Sequence, residues 1–490
     1  MTSATPPPLQ PLLDDGVVVL RAPTQVWSGS CGDLGAAAID GVYHGDVRHV
    51  RTLTLTCAGS PVEWLSVAPD GPSRAVFTGL LRGLDDAWPD PRVRIIRDRR
   101  VADGRVSERW EVRSALREAF RTELDLRVES EFALLHEIKS GVAHPRETRI
   151  EVDGAGATAV SGPQRLALTA PGARVQADEA GVTATWIVEV PAGGIAEVGF
   201  TLDLHDDSLV VQTPGSPMRW DVDAAARSSS DPRLARWLRT ALGDLDALRL
   251  SLPEAPDDDF FAAGAPWFFT LFGRDSLWAA RLALPLDRDI AASTLRVLAR
   301  LQGTEDDPAT AQEPGKILHE LRASALELPG EGIVLPPRYY GSVDSTPLWV
   351  CLLGDVWRAG ASDADIRALV PALRRALSWM REYGDSDGDG FLDYIDRLGT
   401  GLANQGWKDS GDSIQWRDGR LADGPIALCE VQAYAYEAAL AGADILEAFG
   451  DDGDDPAFWR AWAGELKSRF AASFWVETPE GRYPAIALDR

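Results

Sequence analysis

The feature of this sequence that most constrains its fold is a change of hydrophobic period near the middle of the chain. From about residue 16 to 205, apolar and polar residues alternate between turn signals, as in residues 49–59 and 120–132. After residue 232, apolar residues recur instead every three or four positions. Alternation is typical of half-buried strands, whereas the longer period is typical of amphipathic helices. The sequence therefore predicts a β half followed by an α half.

The β half is predicted to be an antiparallel β-sandwich over residues 16–205, with a barrel as the alternative. Two alternating segments, 92–101 and 105–114, flank an Ala-Asp-Gly turn. Two others, 183–190 and 197–204, flank a Gly-Gly pair and indicate a further hairpin. Many strands joined by short turns favour antiparallel sheets.

The α half is predicted to be an α/α toroid over residues 232–490. Its long polar connections are typical of a fold whose loops build a site at one end, and the absence of alternating βαβ units argues against a doubly wound sheet. Residues 1–15 are expected to be a disordered N-terminus, and residues 206–231, rich in Asp, Ser and Pro, are expected to be a linker. The predicted helices cover residues 232–252, 269–284, 290–303, 345–360, 364–384, 425–450 and 457–475.

Charge and cysteine usage limit the classes of partner. The chain has 75 acidic and 49 basic residues, a formal net charge of −26. This balance argues against a nucleic acid or an anionic membrane surface as partner and favours a neutral small molecule or polymer. The four cysteines lie far apart, without a metal-binding spacing, and no signal peptide or membrane-spanning run is evident. We therefore expect reduced cysteines and a cytoplasmic location, and the sequence predicts no oligomeric state.

The strongest candidate for a chemical site is the segment Asn404-Gln405-Gly406-Trp407-Lys408-Asp409-Ser410. A tryptophan ring can stack on a sugar, while amides and charges can bind its hydroxyl groups. Contact with Trp407 would raise the pKa of the Asp409 carboxyl, as a general acid requires, whereas the Lys408 charge would lower it. The alternative is an ordinary polar loop with a buried tryptophan.

Three further segments carry polar and aromatic residues in apolar surroundings. Trp267 precedes the pair Arg274-Asp275, which either faces a polar lumen or braces a helix as a buried ion pair. Glu320 and Arg322 either bind sugar hydroxyls or form a loop salt bridge. Asp344 precedes a predicted helix, where it either caps the helix or contributes to a site.

The acidic loop of residues 385–396 matches the spacing of an EF-hand calcium loop. It has carboxylates at loop positions 1, 3, 5, 9 and 12 and glycine at position 6, with aspartate in place of the final glutamate. A metal-free Asp/Gly turn is the alternative. The expected ligands of a structural Ca²⁺ are Asp385, Asp387, Asp389, Phe391 through its carbonyl, Asp393 and Asp396.

The order of these segments resembles a known family. The motifs APWFFTLFGRDSLWAA, EPGKILHELR, YYGSVDSTPLW, DSDGDGFLDY and NQGWKDS resemble those of bacterial glycogen-debranching-enzyme-like amylo-α-1,6-glucosidases. The catalytic domain of this family is similar to those of glucoamylases, trehalases and processing α-glucosidases. The N-terminal segment GVYHGDVRHVRTLTLTCAG resembles the β-sandwich that precedes it.

The resemblance implies an (α/α)6 barrel and inverting hydrolysis of an α-glucosidic bond in a glycogen-like α-glucan or oligosaccharide, without a catalytic cofactor. Asp409 matches the general acid. Trp267, Arg274 and Asp275 match a sugar-binding segment, and Asp344 and Trp349 match a second wall. The other expected substrate-binding residues are Glu320, Arg322, Asn404, Gln405, Trp407, Lys408 and Glu430.

One departure from the family pattern concerns the end of the chain. An (α/α)6 barrel needs twelve main helices, whereas the sequence offers seven or eight strong candidates before Arg490. We therefore expect the barrel to be C-terminally incomplete and assign the general base, a glutamate in the family's C-terminal part, to no residue present. A non-hydrolytic glycan-binding protein that keeps the aromatic subsites is the alternative function, and a structural scaffold is a third.

Overall fold

The computed structural model describes residues 12–13, 16–85, 90–217, 220–227, 230–328, 332–479 and 481–489. Apart from Leu12 and Leu13, the expected disordered N-terminus, residues 1–15, lies outside the described residues. The chain forms two compact units. The N-terminal unit comprises Met1–Thr213, Asp221–Arg249 and Gly264–Phe269, and the helical unit comprises Pro214–Trp220, Leu250–Ala263 and Thr270–Arg490.

The N-terminal unit contains two antiparallel sheets of eight strands each, which confirms the predicted sandwich. The first sheet has the order β1-β2-β3-β4-β10-β15-β14, with β5 paired to β4, and the second has the order β11-β12-β13-β16-β9-β8-β7-β6. The strands are β1 Val17–Arg21, β2 Thr24–Ser28, β3 Gly41–His44, β4 Val47–Cys57, β5 Ser60–Pro61, β6 Glu63–Pro69, β7 Arg74–Leu80, β8 Val93–Ala102, β9 Arg105–Ser114, β10 Phe120–Leu134, β11 Arg149–Asp153, β12 Gly156–Ser161, β13 Gln164–Thr169, β14 Arg174–Ala177, β15 Val182–Val190 and β16 Ile195–Asp206.

The core of the sandwich follows from the alternation of its strands. Trp110 on β9 and Trp186 on β15 come from different sheets and meet edge to face, with ring centroids 5.3 Å apart. Both side chains are buried, as are the inward-facing residues of the neighbouring strands. Because burial of an aromatic side chain contributes about 1.5–3 kcal/mol, these alternating positions stabilise the face-to-face packing of the two sheets.

The hairpin predicted for residues 183–204 is wrong. Strand β15 pairs with β10 and β14 in the first sheet, whereas β16 pairs with β13 and β9 in the second. The Gly193-Gly194 turn therefore carries the chain from one sheet to the other. The physical reason is that this crossing lets Trp186 and Leu202 both bury their side chains in the core between the sheets.

The helix predicted at 232–252 is shorter than expected and lies with the sandwich. Helix α3, Pro232–Ala247, belongs to the N-terminal unit, and residues 249–252 form a strand. Arg21 pairs with Asp246 at 2.6 Å, and the Ala22 N–H donates to the Ala247 carbonyl at 2.9 Å. These bonds hold α3 beside the sandwich, so the two units do not divide at residue 232. Two short helices complete this unit, α1 Leu135–Lys139 and α2 Val222–Arg227, the latter within the expected linker.

The helical unit consists of three helical hairpins among the described residues. Helices α4, α6 and α8 pack against one another in order, and each packs against the following helix of its hairpin. This two-layered arrangement is that of an α/α toroid, as predicted. The hairpins are α4 Gly273–Ala283 with α5 Arg288–Arg300, α6 Ser345–Arg358 with α7 Asp363–Glu382, and α8 Cys429–Phe449 with α9 Pro456–Ser473.

Short antiparallel strand pairs lie before, between and after the helical hairpins. The pairs are β17 Arg249–Leu252 with β18 Ala255–Phe261, β19 Glu320–Leu321 with β22 Arg338–Tyr339, β20 Leu326–Leu328 with β21 Ile333–Leu335, β23 Ala427–Leu428 with β26 Ala487–Leu488, and β24 Trp475–Thr478 with β25 Gly481–Pro484. All four cysteines are free thiols. Among the described helices, none combines the length and apolar character that crossing a membrane requires.

Candidate functional site

Three residues that are far apart in the sequence meet at one end of the helical unit. Arg274 is the second residue of α4, Asp344 directly precedes α6, and Asp409 lies in the connection between α7 and α8. Arg274 Nη1 lies 3.2 and 3.1 Å from the two carboxylate oxygens of Asp344, and Arg274 Nη2 lies 3.2 Å from Asp409 Oδ2. The side chains of Arg274 and Asp344 are buried, whereas that of Asp409 is 46% exposed. We call these three residues the Arg274 cluster.

The starts of the inner helices are built differently from those of the outer helices. Outer helices α5, α7 and α9 each begin at an Asp or Ser whose side chain accepts a backbone N–H. Inner helices α4, α6 and α8 have no such side-chain cap. Uncapped N–H groups and the helix dipole favour negative charge nearby. The inner-helix ends are therefore suited to hold the acidic residues that gather there.

Glycine and serine residues allow the close packing of α4 and α6 that forms the Arg274 cluster. A Cβ on Gly273 would overlap the Leu318 carbonyl oxygen and lie 3.0 Å from Ser345 Oγ. Ser342 Oγ donates to Asp344 Oδ1 at 2.6 Å and also bonds Ser345 Oγ at 2.6 Å. These contacts fix the orientation of the Asp344 carboxylate that bonds Arg274.

The charge at the Arg274 cluster is predominantly negative. Burial opposes ionisation of the Arg274 guanidinium, but the carboxylates of Asp344, Asp275 and Asp409 raise its pKa. The Asp275 side chain retains exposed surface, although the surrounding protein desolvates its carboxyl group. Burial of this carboxyl raises its pKa, and the negative charges of Asp344 and Asp409 add to the effect against the opposing charge of Arg274. One guanidinium therefore faces three carboxyl groups, and Asp275 takes up a proton more readily than an ordinary aspartate.

Helix α8 supplies the neighbouring wall. Glu430 lies in its first turn and is partly exposed. Burial, followed by the negative charges of Glu430 and Asp344, raises the pKa of the Tyr434 hydroxyl to about 12. The Tyr434 ring meets Trp278 of α4 with ring centroids 6.0 Å apart. Because Trp278 and Tyr434 follow Arg274 and Glu430 by four residues, helical spacing places them on the same faces.

Sequence reasoning missed an ion-pair network two turns further along these helices. Arg281 Nε lies 2.6 Å from Asp355 Oδ2, and Arg281 Nη2 lies 2.5 Å from Glu437 Oε1. Arg281 and Glu437 follow Arg274 and Glu430 by seven residues, so the signal was present in the spacing. The network ties α4, α6 and α8 together below the Arg274 cluster.

The loop of residues 404–410 contains both buried and exposed candidates. Asn404 is buried, accepts the Tyr394 hydroxyl at 2.8 Å and donates to the Ser410 carbonyl at 2.7 Å. The Gln405 side chain is also buried, and its backbone carbonyl accepts the Val343 N–H at 2.9 Å. Both residues thus brace the loop, and their expected role in contacting the sugar is corrected because their side chains are buried.

The other two candidates of this loop are open to solvent. The Trp407 side chain is 64% exposed, and Lys408 is exposed too. Trp407 is therefore not the buried tryptophan of the alternative interpretation. An exposed indole beside Asp409 is free to stack on a ligand.

Three residues expected at the sugar are buried in the helical unit. Arg322 Nε bonds Glu320 Oε2 at 3.1 Å, and the Arg322 guanidinium lies over the Phe272 ring at 5.6 Å. This is the salt-bridge alternative for the pair, buried beside α4. Trp349 has no exposed surface, and its Nε1 donates to the Leu295 carbonyl at 3.0 Å. The expected position of Trp349 in a sugar-binding wall is corrected, because its helical face packs against α5.

Trp267 lies in the N-terminal unit and not among the residues of the helical unit. Its side chain is 6% exposed and packs in a hydrophobic cluster with Trp27, Tyr43 and Leu135. The indole faces are therefore largely covered, and its expected role as a stacking surface is corrected for this structure.

The acidic loop brings together three of its expected metal ligands. Carboxylate oxygens of Asp385, Asp387 and Asp393 lie within 4.8 Å of one another. Burial, together with the nearby charges of Asp387 and Asp385, raises the pKa of the Asp393 carboxyl to about 6 despite hydrogen bonds from Ser386. Hard carboxylate oxygens that repel one another at this distance fit a Ca²⁺ ion, which would relieve the repulsion.

The rest of the acidic loop departs from the EF-hand pattern. Asp389 accepts the Phe391 N–H at 2.9 Å, and Asp396 accepts the N–H groups of Leu398 and Gly401 at 3.1 and 2.9 Å. No helix follows residue 396 directly; Tyr394 pairs instead with Ile426. Asp389 and Asp396 lie outside the converging set of Asp385, Asp387 and Asp393. The Phe391 carbonyl stays a predicted ligand.

Comparison with known proteins supports the resemblance read from the sequence. Residues 19–201 match the family of N-terminal domains of (some) glycogen debranching enzymes. No curated protein matches the chain.

Solved structures resemble the chain at low sequence identity. A candidate kojibiose phosphorylase from the human microbiome has a TM-score of 0.52 at 9% identity, over 94% of this chain and 68% of that chain. A rhamnosidase from Klebsiella oxytoca with rhamnose bound has a TM-score of 0.33 at 13% identity, over 87% of this chain and 72% of that chain. A galactose mutarotase-like protein from Lactobacillus casei has a TM-score of 0.28 at 10% identity, over 39% of this chain and 100% of that chain. The chain thus carries a β-sandwich similar to the N-terminal domain of some glycogen debranching enzymes, followed by an α/α toroid.

Proposed function

We propose that this protein is a glycoside hydrolase that cleaves α-glucosidic bonds in glycogen-like α-glucans or oligosaccharides, with inversion and with Asp409 as the general acid. The observation that carries the proposal is the Arg274 cluster, in which one guanidinium bonds both Asp344 and Asp409 at the ends of the inner helices. The match of the sandwich to glycogen debranching enzymes supports a glucan as substrate.

Exposure supports different roles for the two carboxylates of the Arg274 cluster. Asp344 is fully buried and holds Arg274 in place, whereas the Asp409 side chain is 46% exposed. Asp409 is therefore the member that can reach a bridging oxygen and donate a proton to it. Asp275, Trp407, Lys408 and Glu430 are at least partly exposed and are assigned to the sugar.

The charge of the cluster favours water over phosphate as the acceptor of the glycosyl group. Phosphorolysis requires a dianionic or monoanionic phosphate to bind beside the scissile bond. Here the buried Arg274 is already bonded by two carboxylates, and Asp275 adds a third carboxyl group. A phosphate ion would be repelled by this arrangement, whereas neutral water would not.

Inversion also needs a carboxylate base that activates water, about 6.5–9.5 Å from the acid. Glu430 is assigned to the wall of the sugar site, and no residue of this chain is assigned as the base. The catalytic residue on which it depends is Asp409.

A second candidate function is a glycan-binding protein without turnover. It is favoured by the contact of 3.2 Å between Arg274 Nη2 and Asp409 Oδ2, because a guanidinium at this distance stabilises the ionised carboxylate. An ionised Asp409 accepts hydrogen bonds from sugar hydroxyls but donates no proton.

One assay separates these functions. The protein is incubated with maltooligosaccharides, isomaltose and trehalose, each with and without inorganic phosphate, and glucose and glucose 1-phosphate are measured. Hydrolysis predicts glucose at a rate independent of phosphate, with the β-anomer formed first. Glucose 1-phosphate would contradict the proposal, and sugar binding without any turnover would support the glycan-binding alternative.

Two further assignments belong to the proposal. Asp385, Asp387 and Asp393 are proposed to hold a structural Ca²⁺, because their oxygens converge and Asp393 is buried. The protein is proposed to act in the cytoplasm, where its four free thiols would stay reduced.

A further inference from the structure

We infer that Tyr394 and Asn404 are positioning residues that set the location of the Asp409 carboxyl through the backbone of residue 410. This inference rests on the proposed role of Asp409 as general acid. Neither side chain is assigned to contact the sugar, since both are buried.

A continuous chain of hydrogen bonds carries the inference. The Tyr394 hydroxyl donates to Asn404 Oδ1 at 2.8 Å, and Asn404 Nδ2 donates to the Ser410 carbonyl oxygen at 2.7 Å. Ser410 directly follows Asp409. The carbonyl group of the residue that follows Asp409 is therefore hydrogen-bonded to the buried Asn404 amide, which is hydrogen-bonded in turn to the buried Tyr394 hydroxyl.

The loop is held on the other side of Asp409 as well. The Val343 N–H donates to the Gln405 carbonyl at 2.9 Å, and Val343 directly precedes Asp344 of the Arg274 cluster. Ser413 Oγ bonds the carbonyl groups of Lys408 and Ser410 at 2.6 and 2.8 Å. Residues 407–409 thus lie between fixed points, although Trp407 and Lys408 are themselves exposed.

The phenol remains a hydrogen-bond donor at any working pH. Burial, and then the negative charge of Glu430, raises the pKa of the Tyr394 hydroxyl above its usual value, against a hydrogen bond from the Gln405 backbone. The segment carrying Tyr394 is fixed by reciprocal backbone hydrogen bonds with Ile426, at 3.2 and 3.0 Å. Tyr394 is thus held in place through its backbone, and Asn404 connects its hydroxyl by hydrogen bonds to the loop that carries Asp409.

A second phenol fixes the same loop further upstream. Tyr339 is buried, and its hydroxyl oxygen accepts the Leu402 N–H at 2.9 Å. A Cβ on Gly401 would lie 2.6 Å from that oxygen, so the close approach requires glycine. These contacts fix the backbone of residues 401–405, which leads to the segment that carries Asp409.

Positioning of an acid has a kinetic signature that general stability lacks. A glucoside with a sugar leaving group needs protonation of the bridging oxygen, whereas α-glucosyl fluoride releases fluoride with little need for a proton donor. A misplaced Asp409 should therefore slow maltose hydrolysis far more than hydrolysis of α-glucosyl fluoride. A displacement of about 1 Å can cost up to about 100-fold in rate.

The experiment compares wild type, Tyr394→Phe and Asn404→Asp on both substrates, with Tyr340→Phe as control. The Tyr340 hydroxyl donates to the Leu301 carbonyl at 2.7 Å, so the control removes a similar buried hydrogen bond away from the loop. We expect Tyr394→Phe to lower kcat on maltose about 10- to 100-fold with little change in KM, while activity on α-glucosyl fluoride falls less than about threefold. Asn404→Asp should act in the same direction, because a carboxylate oxygen would face the Ser410 carbonyl.

The outcomes separate this inference from the proposed function. Equal losses on both substrates, or unchanged activity on maltose, would overturn the positioning role while leaving Asp409 as the acid. A loss of the same pattern in Tyr340→Phe would also overturn it. A wild-type protein inactive on both substrates would instead refute the proposed function, and the positioning role with it.

Discussion

Replacing Asp344 by asparagine tests the buried half of the Arg274 cluster. The substitution keeps the size of the side chain and retains an oxygen that can accept the Ser342 hydroxyl, which now lies 2.6 Å away. It removes the negative charge that Arg274 Nη1 contacts at 3.2 and 3.1 Å. The Arg274 side chain, which is 6% exposed, then retains its ion pair with the partly exposed Asp409 but loses the one with Asp344.

The expected magnitude follows from burial. Removing one partner of a buried ion pair costs about 3–5 kcal/mol, because the remaining charge stays out of water. The contact of Arg274 with Asp409 compensates part of this loss, so we expect the lower end, about 3 kcal/mol. That corresponds to an increase of about 150-fold in the unfolding equilibrium constant.

Urea unfolding followed by tryptophan fluorescence measures this loss, provided that the denaturant slope is unchanged. The matched control is Asp306→Asn, which breaks an exposed pair with Arg397 at 2.6 Å in the same unit. We expect the control to cost about 0–1 kcal/mol. If Asp344→Asn lowers the free energy of unfolding no more than Asp306→Asn does, Arg274 and Asp344 do not stabilise each other as a buried ion pair, and the reasoning is refuted.

Three further changes test separate parts of the account. Trp407→Ala should weaken maltooligosaccharide binding in calorimetry without lowering the melting temperature, since this side chain is 64% exposed; unchanged binding would remove it from the sugar site. The pKa of Asp393 is about 6 in the folded protein, above its ordinary value. Between about pH 4 and 6, the folded protein therefore keeps a proton on Asp393 that the unfolded chain has already lost. The stability of the protein consequently falls as pH rises through that window. Asp393→Asn should therefore stabilise the calcium-free protein above pH 6 and abolish any rise in melting temperature on adding Ca²⁺; a wild type that gains nothing from Ca²⁺ would contradict the metal site. Gly273→Ala should destabilise the protein by about 2–3 kcal/mol, because the added Cβ would overlap the Leu318 carbonyl oxygen. The control Gly464→Ala, which has open space around it in α9, should stabilise the protein by about 0.5–1 kcal/mol. Equal effects of the two substitutions in urea unfolding would contradict the close approach at Gly273.

The sequence predicted the elements of the fold better than their partners. Hydrophobic period shows which side of a strand or helix is buried, and it located both the sandwich and the helical hairpins. It does not show which strand lies alongside, so β15 and β16 were expected to pair although they lie in different sheets. The same limit applies to α3, whose amphipathic pattern carries no information about the unit against which it packs.

Within the candidate site, charged residues could be predicted more readily than aromatic ones. Arg274, Asp344 and Asp409 were each expected at the site, but only the structure shows that Arg274 bonds both carboxylates. A tryptophan is equally suited to a core and to a sugar site, and only the structure shows that Trp349 is buried and Trp407 exposed. The bracing role of Asn404 depends on the path of an irregular loop, which has no period to read.

The central claim is that Asp409 donates the proton that breaks the glycosidic bond. Its most direct test is the turnover of maltooligosaccharides by wild type and Asp409→Asn, with sugar affinity measured on both proteins by calorimetry. The account predicts that kcat falls by about 10²- to 10⁴-fold in the variant, while the dissociation constant changes little because only the proton donor is removed. Retained turnover in Asp409→Asn would contradict it.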